Sequence, residues 1–155
     1  MNSTSYLSIP QDTFNQIVFY ASLFFFIADI YTNYCFNQNL VYKKDSILNK
    51  ITILELLFFH HVLAFYLYFG WLSSSSFYLK LYVSLVLIVI LHWLTNKDRC
   101  ILTQIINWYC GYEDAEPFHD IFWFIDLKSK KWYDIFIICY LMVGLIIAMI
   151  KISYL

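Results

Sequence analysis

Four long apolar runs dominate the chain, separated by shorter stretches that carry most of its charge. They cover residues 14–36, 52–72, 77–95 and 133–150. Each approaches the about 20 residues that cross a hydrocarbon core as a helix. Helices are the expected conformation there, because backbone groups in lipid must be satisfied within the segment. The first run begins FNQIVFYASLFFFIADIY, and the last contains IFIICYLMVGLIIAMI, the most apolar part of the chain. The serines at 73–76 read as a tight turn between the second and third runs. The pattern predicts an all-α membrane protein, one integral membrane domain over residues 1–155. Its architecture is a four-transmembrane-helix bundle with an interfacial amphipathic segment between helices 3 and 4.

That segment lies in the connection 96–132, too polar for a fifth span and too apolar for a free loop. In RCILTQIINWYC, Ile101, Leu102, Ile105 and Tyr109 recur at helical spacing, with Thr103, Gln104 and Asn107 opposite. This predicts a short helix in the plane of the interface. Gly111 and Pro117 punctuate the acidic stretch that follows. The aromatic segment FHDIFWFIDL then leads to Lys128, Ser129, Lys130 and Lys131. A connector resting on the membrane is favoured over a lid or docking surface.

Composition supports the same class. Hydrophobic residues make up 61% of the 155 positions and charged ones 14%, too few for the surface of a soluble domain of this size. Aromatic residues reach 22%, suited to packing in hydrocarbon and anchoring at headgroups, so the lipid bilayer is the expected surroundings. A net charge of -1 supplies no basic field, and nucleic acid is excluded as a partner. The first run lacks a basic flank and a small-residue cleavage site, so it reads as a retained helix.

The basic residues give the orientation. Lys43, Lys44, Lys50, Lys97, Arg99, Lys128, Lys130 and Lys131 fall in the first and third connections, against only Lys80 and Lys151 on the other side. Excess Lys and Arg mark cytoplasmic connections, which predicts both termini on the outer or lumenal side. Cys35, Cys100 and Cys110 then face the reducing side, and Cys139 lies in the fourth span. With no CxxC pair or zinc spacing, free buried thiols are expected. Asn2-Ser3-Thr4 matches a glycosylation sequon.

Ionisable groups inside spans are costly and ask for an explanation. Asp29, Glu55, His60, His61 and His92 all fall in the basic-side half of the bilayer. Asp29, for example, lies roughly 10 Å in at about 1.5 Å per residue. Asn33 shares the helix face of Asp29, and Asn96 that of His92, joined by Arg99 if the third helix continues. These eight residues form a candidate intramembrane polar cluster. Helical phase sends His60 and His61 to different sides, both well away from Glu55.

Three explanations compete. Polar side chains can fix helix register at about a kcal/mol each, which carries the most weight. A metal ion or haem would draw on Asp29, Glu55, His61 and His92, and a bound metal would activate water. A proton or cation path would use the acids and histidines as relays. No Ser-His-Asp order, phosphate loop or HExxH occurs, so no reaction class is indicated.

His92-Trp93, Asn96, Cys100-Ile101-Leu102-Thr103, Asn107-Trp108 and Gly111-Tyr112 together resemble a C-x-L-T-x-x-E-N-W stretch followed by Gly-Tyr. That stretch occurs in small multi-pass bacterial membrane proteins of unknown function, and the region also resembles short multi-pass proteins of large DNA viruses. The resemblance covers about 20 residues and implies a membrane location without a reaction. Ile106 stands where the bacterial pattern has Glu, and Ile101 and Gln104 where it has prolines. Phe59-His60-His61-Val62 is similar to the paired histidines of the ceramide-synthase-like membrane domain, which needs more helices than this chain has. The expected role is assembly with other membrane protein subunits or with itself, as part of a larger complex or a viral membrane. The alternatives are a metal- or haem-dependent membrane enzyme and a proton or cation pathway.

Overall fold

The computed structural model describes residues 9–31, 47–97, 99–110 and 130–155. Asn33, Cys35, the sequon at 2–4 and the acidic and aromatic stretches of the third connection lie outside the described residues. The described residues form five helices: α1 Gln11–Ile30, α2 Ile47–Phe69, α3 Ser76–Thr95, α4 Ile101–Cys110 and α5 Lys130–Tyr154. A single 3-10 turn, Gly70–Leu72, continues α2. Four segments are long and apolar enough to cross a membrane: Gln11–Ile30, Ile47–Leu72, Ser76–Thr95 and Ile135–Tyr154.

The helix ends follow local chemistry. Pro10 precedes α1, where its missing N–H costs nothing, and its carbonyl accepts from the Phe14 N–H at 2.9 Å. Asp12 in the first turn suits the positive end of the helix dipole. α3 stops where Lys97 adopts φ 55°, the left-handed conformation that closes many helices. The Asn96 N–H completes that end by donating to the His92 carbonyl at 2.8 Å.

α2 is the central element. α1 packs along it, α4 lies on its N-terminal half, and α3 and α5 pair on its other side. Phe14 and Val18 of α1 meet Phe65 of α2, with Phe25 and Phe65 ring centroids 5.0 Å apart. Ile53 and Leu57 of α2 pack on Ile106 of α4. Leu79, Tyr82 and Val86 of α3 join Ile137, Leu141, Leu145 and Ala148 of α5 around Leu67. The outward faces remain apolar and open, as at Tyr20, Phe24 and Ile27 on α1 and Leu87, Ile88 and Leu91 on α3.

One end of the bundle is tied by polar contacts around Ser73, in the turn that the serine run predicts. The Ile9 N–H donates to the Leu72 carbonyl at 3.2 Å. The Ser73 hydroxyl donates to Gln11 Oε1 at 2.5 Å. Lys151, buried near the end of α5, donates to the carbonyls of Trp71 and Ser73 at 3.0 and 2.7 Å. The start of α1, the α2–α3 turn and the end of α5 therefore meet at one level, and successive spans run in opposite directions.

A single tyrosine decides how α3 seats between its neighbours. Tyr82 is fully buried, and two of the chain's three glycines make room for it. A Cβ at Gly70 would strike the Tyr82 ring. At Gly144 it would strike the Tyr82 hydroxyl and come within 2.9 Å of Trp71 Cδ1. Glycine is needed at both places for close approach, not for backbone freedom.

Candidate functional site

Apart from Asn33, which lies outside the described residues, the polar residues singled out in the sequence occupy the half of the bundle away from Ser73. α1 and α2 bury Asp29 and His61 against each other. His61 Nε2 lies 3.4 Å from Asp29 Oδ2, and their side chains are 0% and 4% exposed. Phe26 flanks the imidazole edge-on, at a centroid distance of 6.3 Å. A carboxylate and an imidazole in so apolar a setting hold each other, because each is the other's compensation for lost water.

His60 is also buried but looks the other way, as the 100° step between adjacent helical residues requires. Its Nε2 lies 3.8 Å from Cys100 Sγ, just before α4. The histidine pair thus joins α2 to α1 on one side and to the start of α4 on the other.

His92 and Asn96 form a third polar group at the end of α3. The Asn96 amide donates its two hydrogens to the Arg99 carbonyl at 2.9 Å and Gln104 Oε1 at 2.7 Å, with His92 Nε2 3.1 Å from the same nitrogen. One side chain therefore ties the α3–α4 turn together. Arg99 enters through its backbone, since α3 ends at Thr95 and does not carry the guanidinium on along the His92 face.

Glu55 stands apart, exposed on α2 among exposed Ile51, Leu54 and Phe59. Of the four residues considered as metal ligands, Asp29 and His61 are neighbours, whereas Glu55 is exposed and His92 is engaged within the α3–α4 turn. Among the described residues no three His, Cys, Asp or Glu side chains are grouped to hold a metal ion. Asp29 Oδ2 lies against the His61 imidazole, and Cys100 Sγ against that of His60.

α4 forms where helical spacing predicts it, and one strip of it packs on the bundle. Ile106 and Asn107 are its most buried residues, and Ile101 is exposed. Asn107, expected on the polar side, is covered by the bundle. Several contacts escaped sequence reasoning. Cys100 and His60 lie far apart in the chain and share no motif. Lys151 reads as a flanking charge until the carbonyls it binds are seen. Gln104 carries a signal only in retrospect, since it follows Asn96 across a turn.

These features define an all-helical chain with four segments suited to crossing a membrane and a buried polar layer in one half. No protein-family model, curated protein or solved structure matches it.

Proposed function

We propose that this is a multi-pass integral membrane protein whose role is to assemble with other membrane protein subunits. The observation that carries this reading is Glu55, an acidic side chain exposed on α2 beside Ile51, Leu54 and Phe59. It lies about 26 Å from Leu72 at about 1.5 Å per residue, near the far boundary of a hydrocarbon core about 30 Å thick. At that boundary a carboxylate reaches headgroup water, and on an otherwise apolar helix face it offers a contact to a basic or hydrogen-bonding group on an adjoining helix.

The orientation follows the same reading. Lys50, Lys97 and Arg99 belong to the half of the bundle away from Ser73, and this basic excess supports a cytoplasmic location for that half and an outer or lumenal one for both termini. Of the two lysines on the Ser73 side, Lys151 is bound to backbone carbonyls, leaving Lys80 as the exposed basic residue there. The polar side of α4, with Thr103 and Gln104, belongs at the cytoplasmic boundary. Asp29–His61 and His92–Asn96 serve this scaffold by holding helix register.

Native electrophoresis after extraction in mild detergent tests the proposal. The unaltered protein is expected to migrate as a complex larger than one chain, and Glu55→Lys to collapse it toward the monomer. Migration of the unaltered protein as a free monomer refutes assembly. A Glu55→Lys complex of unchanged size removes Glu55 as its contact.

A further inference from the structure

Among the described side chains, four charged groups are exposed: Asp12, Glu55, Lys80 and Lys97. Asp29 and Lys151 are buried, and Lys50 and Arg99 are half-buried. Asp12 and Lys80 lie toward the Ser73 end of the bundle, Glu55 and Lys97 toward the other. Thr95, the last residue of α3, is about 29 Å from Ser76 at about 1.5 Å per residue, and Lys97 follows it. Glu55 is about 26 Å from Leu72 by the same rise, so the acid and the base stand close to one level. Among the described residues neither side chain makes a hydrogen bond or a salt bridge.

α2 and α3 also share the side of the bundle that carries Glu55. Tyr66 follows Glu55 by about three helical turns, so the two project from the same side of α2. There the Tyr66 hydroxyl donates to the Tyr78 carbonyl of α3 at 2.6 Å. α3 thus covers this side of α2 near the Ser73 end. Farther along, the same side is open at Leu48, Ile51, Glu55 and Phe59, whose spacings of three and four residues make a continuous seam for a packing helix.

A two-fold axis along the bilayer normal keeps two copies of the chain in the same orientation and leaves every residue at its own depth. Under that axis a contact between two different residues occurs twice, once in each direction. Glu55 then meets only groups of its own level, and among the exposed charged groups Lys97 is the base there. We propose, resting on the assembly reading above, that the partner on the Glu55 face of α2 is a second copy of this chain. Glu55 of each protomer pairs with Lys97 of the other. Leu48, Ile51 and Phe59 supply the packing, and the two reciprocal ion pairs fix the register and select the partner.

The test expresses two full-length copies with different epitope tags and recovers them through one tag in mild detergent. Unaltered copies are expected to co-purify. Glu55→Lys in both copies, or Lys97→Glu in both, sets like charges against each other and is expected to lower recovery at least about 10-fold. One copy with Glu55→Lys beside another with Lys97→Glu makes both contacts opposite in charge again, and recovery is expected to return to near the unaltered level. Failure of that mixed pair, or full recovery of either single variant, overturns the Glu55–Lys97 contact. If a variant does not fold, carbodiimide cross-linking of the unaltered protein decides: a cross-linked dimer joins Glu55 to Lys97, and a dimer in which Glu55 is joined to another lysine overturns the pairing. Unaltered copies that never co-purify, although native electrophoresis still shows a complex, overturn the second copy and leave assembly with other proteins standing. A free monomer removes both.

Discussion

Lys151 Nζ donates to the Ser73 carbonyl at 2.7 Å, joining the last helix to the turn between the second and third. The ammonium also binds the Trp71 carbonyl, at the end of the 3-10 turn where helix geometry leaves acceptors unsatisfied. Its position supplies charge where the negative end of a helix dipole calls for it. Ser73 passes the connection on through its hydroxyl to Gln11, so one residue links α1, the turn and α5.

Lys151→Met keeps most of the side-chain volume and removes the donor. Buried carbonyls at Trp71 and Ser73 then lose their charged partner, at a cost of about 1.5–3 kcal/mol. The thermal unfolding midpoint in detergent micelles is expected to fall, while Lys80→Met, on an exposed position of α3, leaves it nearly unchanged. Equal midpoints for Lys151→Met and the unaltered protein contradict the role of this contact.

The two glycines around Tyr82 predict different rescues. Gly144→Ala and Gly70→Ala each overpack a filled core and are expected to cost about 1–3 kcal/mol. Tyr82→Phe removes the hydroxyl that a Cβ at Gly144 meets, so it relieves Gly144→Ala in part, Trp71 remaining in contact. It gives no relief to Gly70→Ala, whose Cβ meets the ring itself. Tyr82→Phe alone is expected to be neutral or stabilising, because the buried Tyr82 hydroxyl has no hydrogen-bond partner among the described residues. A double-mutant cycle on thermal midpoints checks the set, and equal relief at both glycines would count against this packing.

Asp29 and His61 are expected to be strongly non-additive. Removing either partner of a buried hydrogen-bonded pair costs about 1–3 kcal/mol, whereas replacing both with apolar groups of similar shape is nearly neutral. Asp29→Leu and His61→Leu should therefore each destabilise more than the double variant does. Additive effects in equilibrium unfolding would show that the two do not act as a pair.

How much of this was legible beforehand differs from element to element. The four spans were, because a run of apolar side chains declares its own solvent. Their ends were less so. α2 begins at Ile47 rather than at 52, and α5 at Lys130 rather than at 133, because a helix can extend past the apolar run through residues such as Asn49, Lys50 and Lys131. At the site, sequence spacing placed His60 and His61 on different sides, and it paired His92 with Asn96 along one helix. It also grouped Glu55 with Asp29 and His92 by depth alone, and depth says nothing of rotation about the helix axis. Glu55 turns outward, whereas Asp29 turns into α2.

Composition and local periodicity by themselves determined the apolar helices, the turn at the serines and the short helix after α3. Those are properties of neighbouring residues and the solvent they prefer. Tertiary packing alone decided that His61 meets Asp29, that His60 meets Cys100, that Ile106 and Asn107 are the covered side of α4, and that Lys151 closes the turn at Ser73. Such partners come from different helices, and in a chain apolar on nearly every face, hydropathy barely distinguishes one rotation from another. The choice falls to close fit, as where Gly70 and Gly144 admit Tyr82, and to the few polar groups that must find one another away from water.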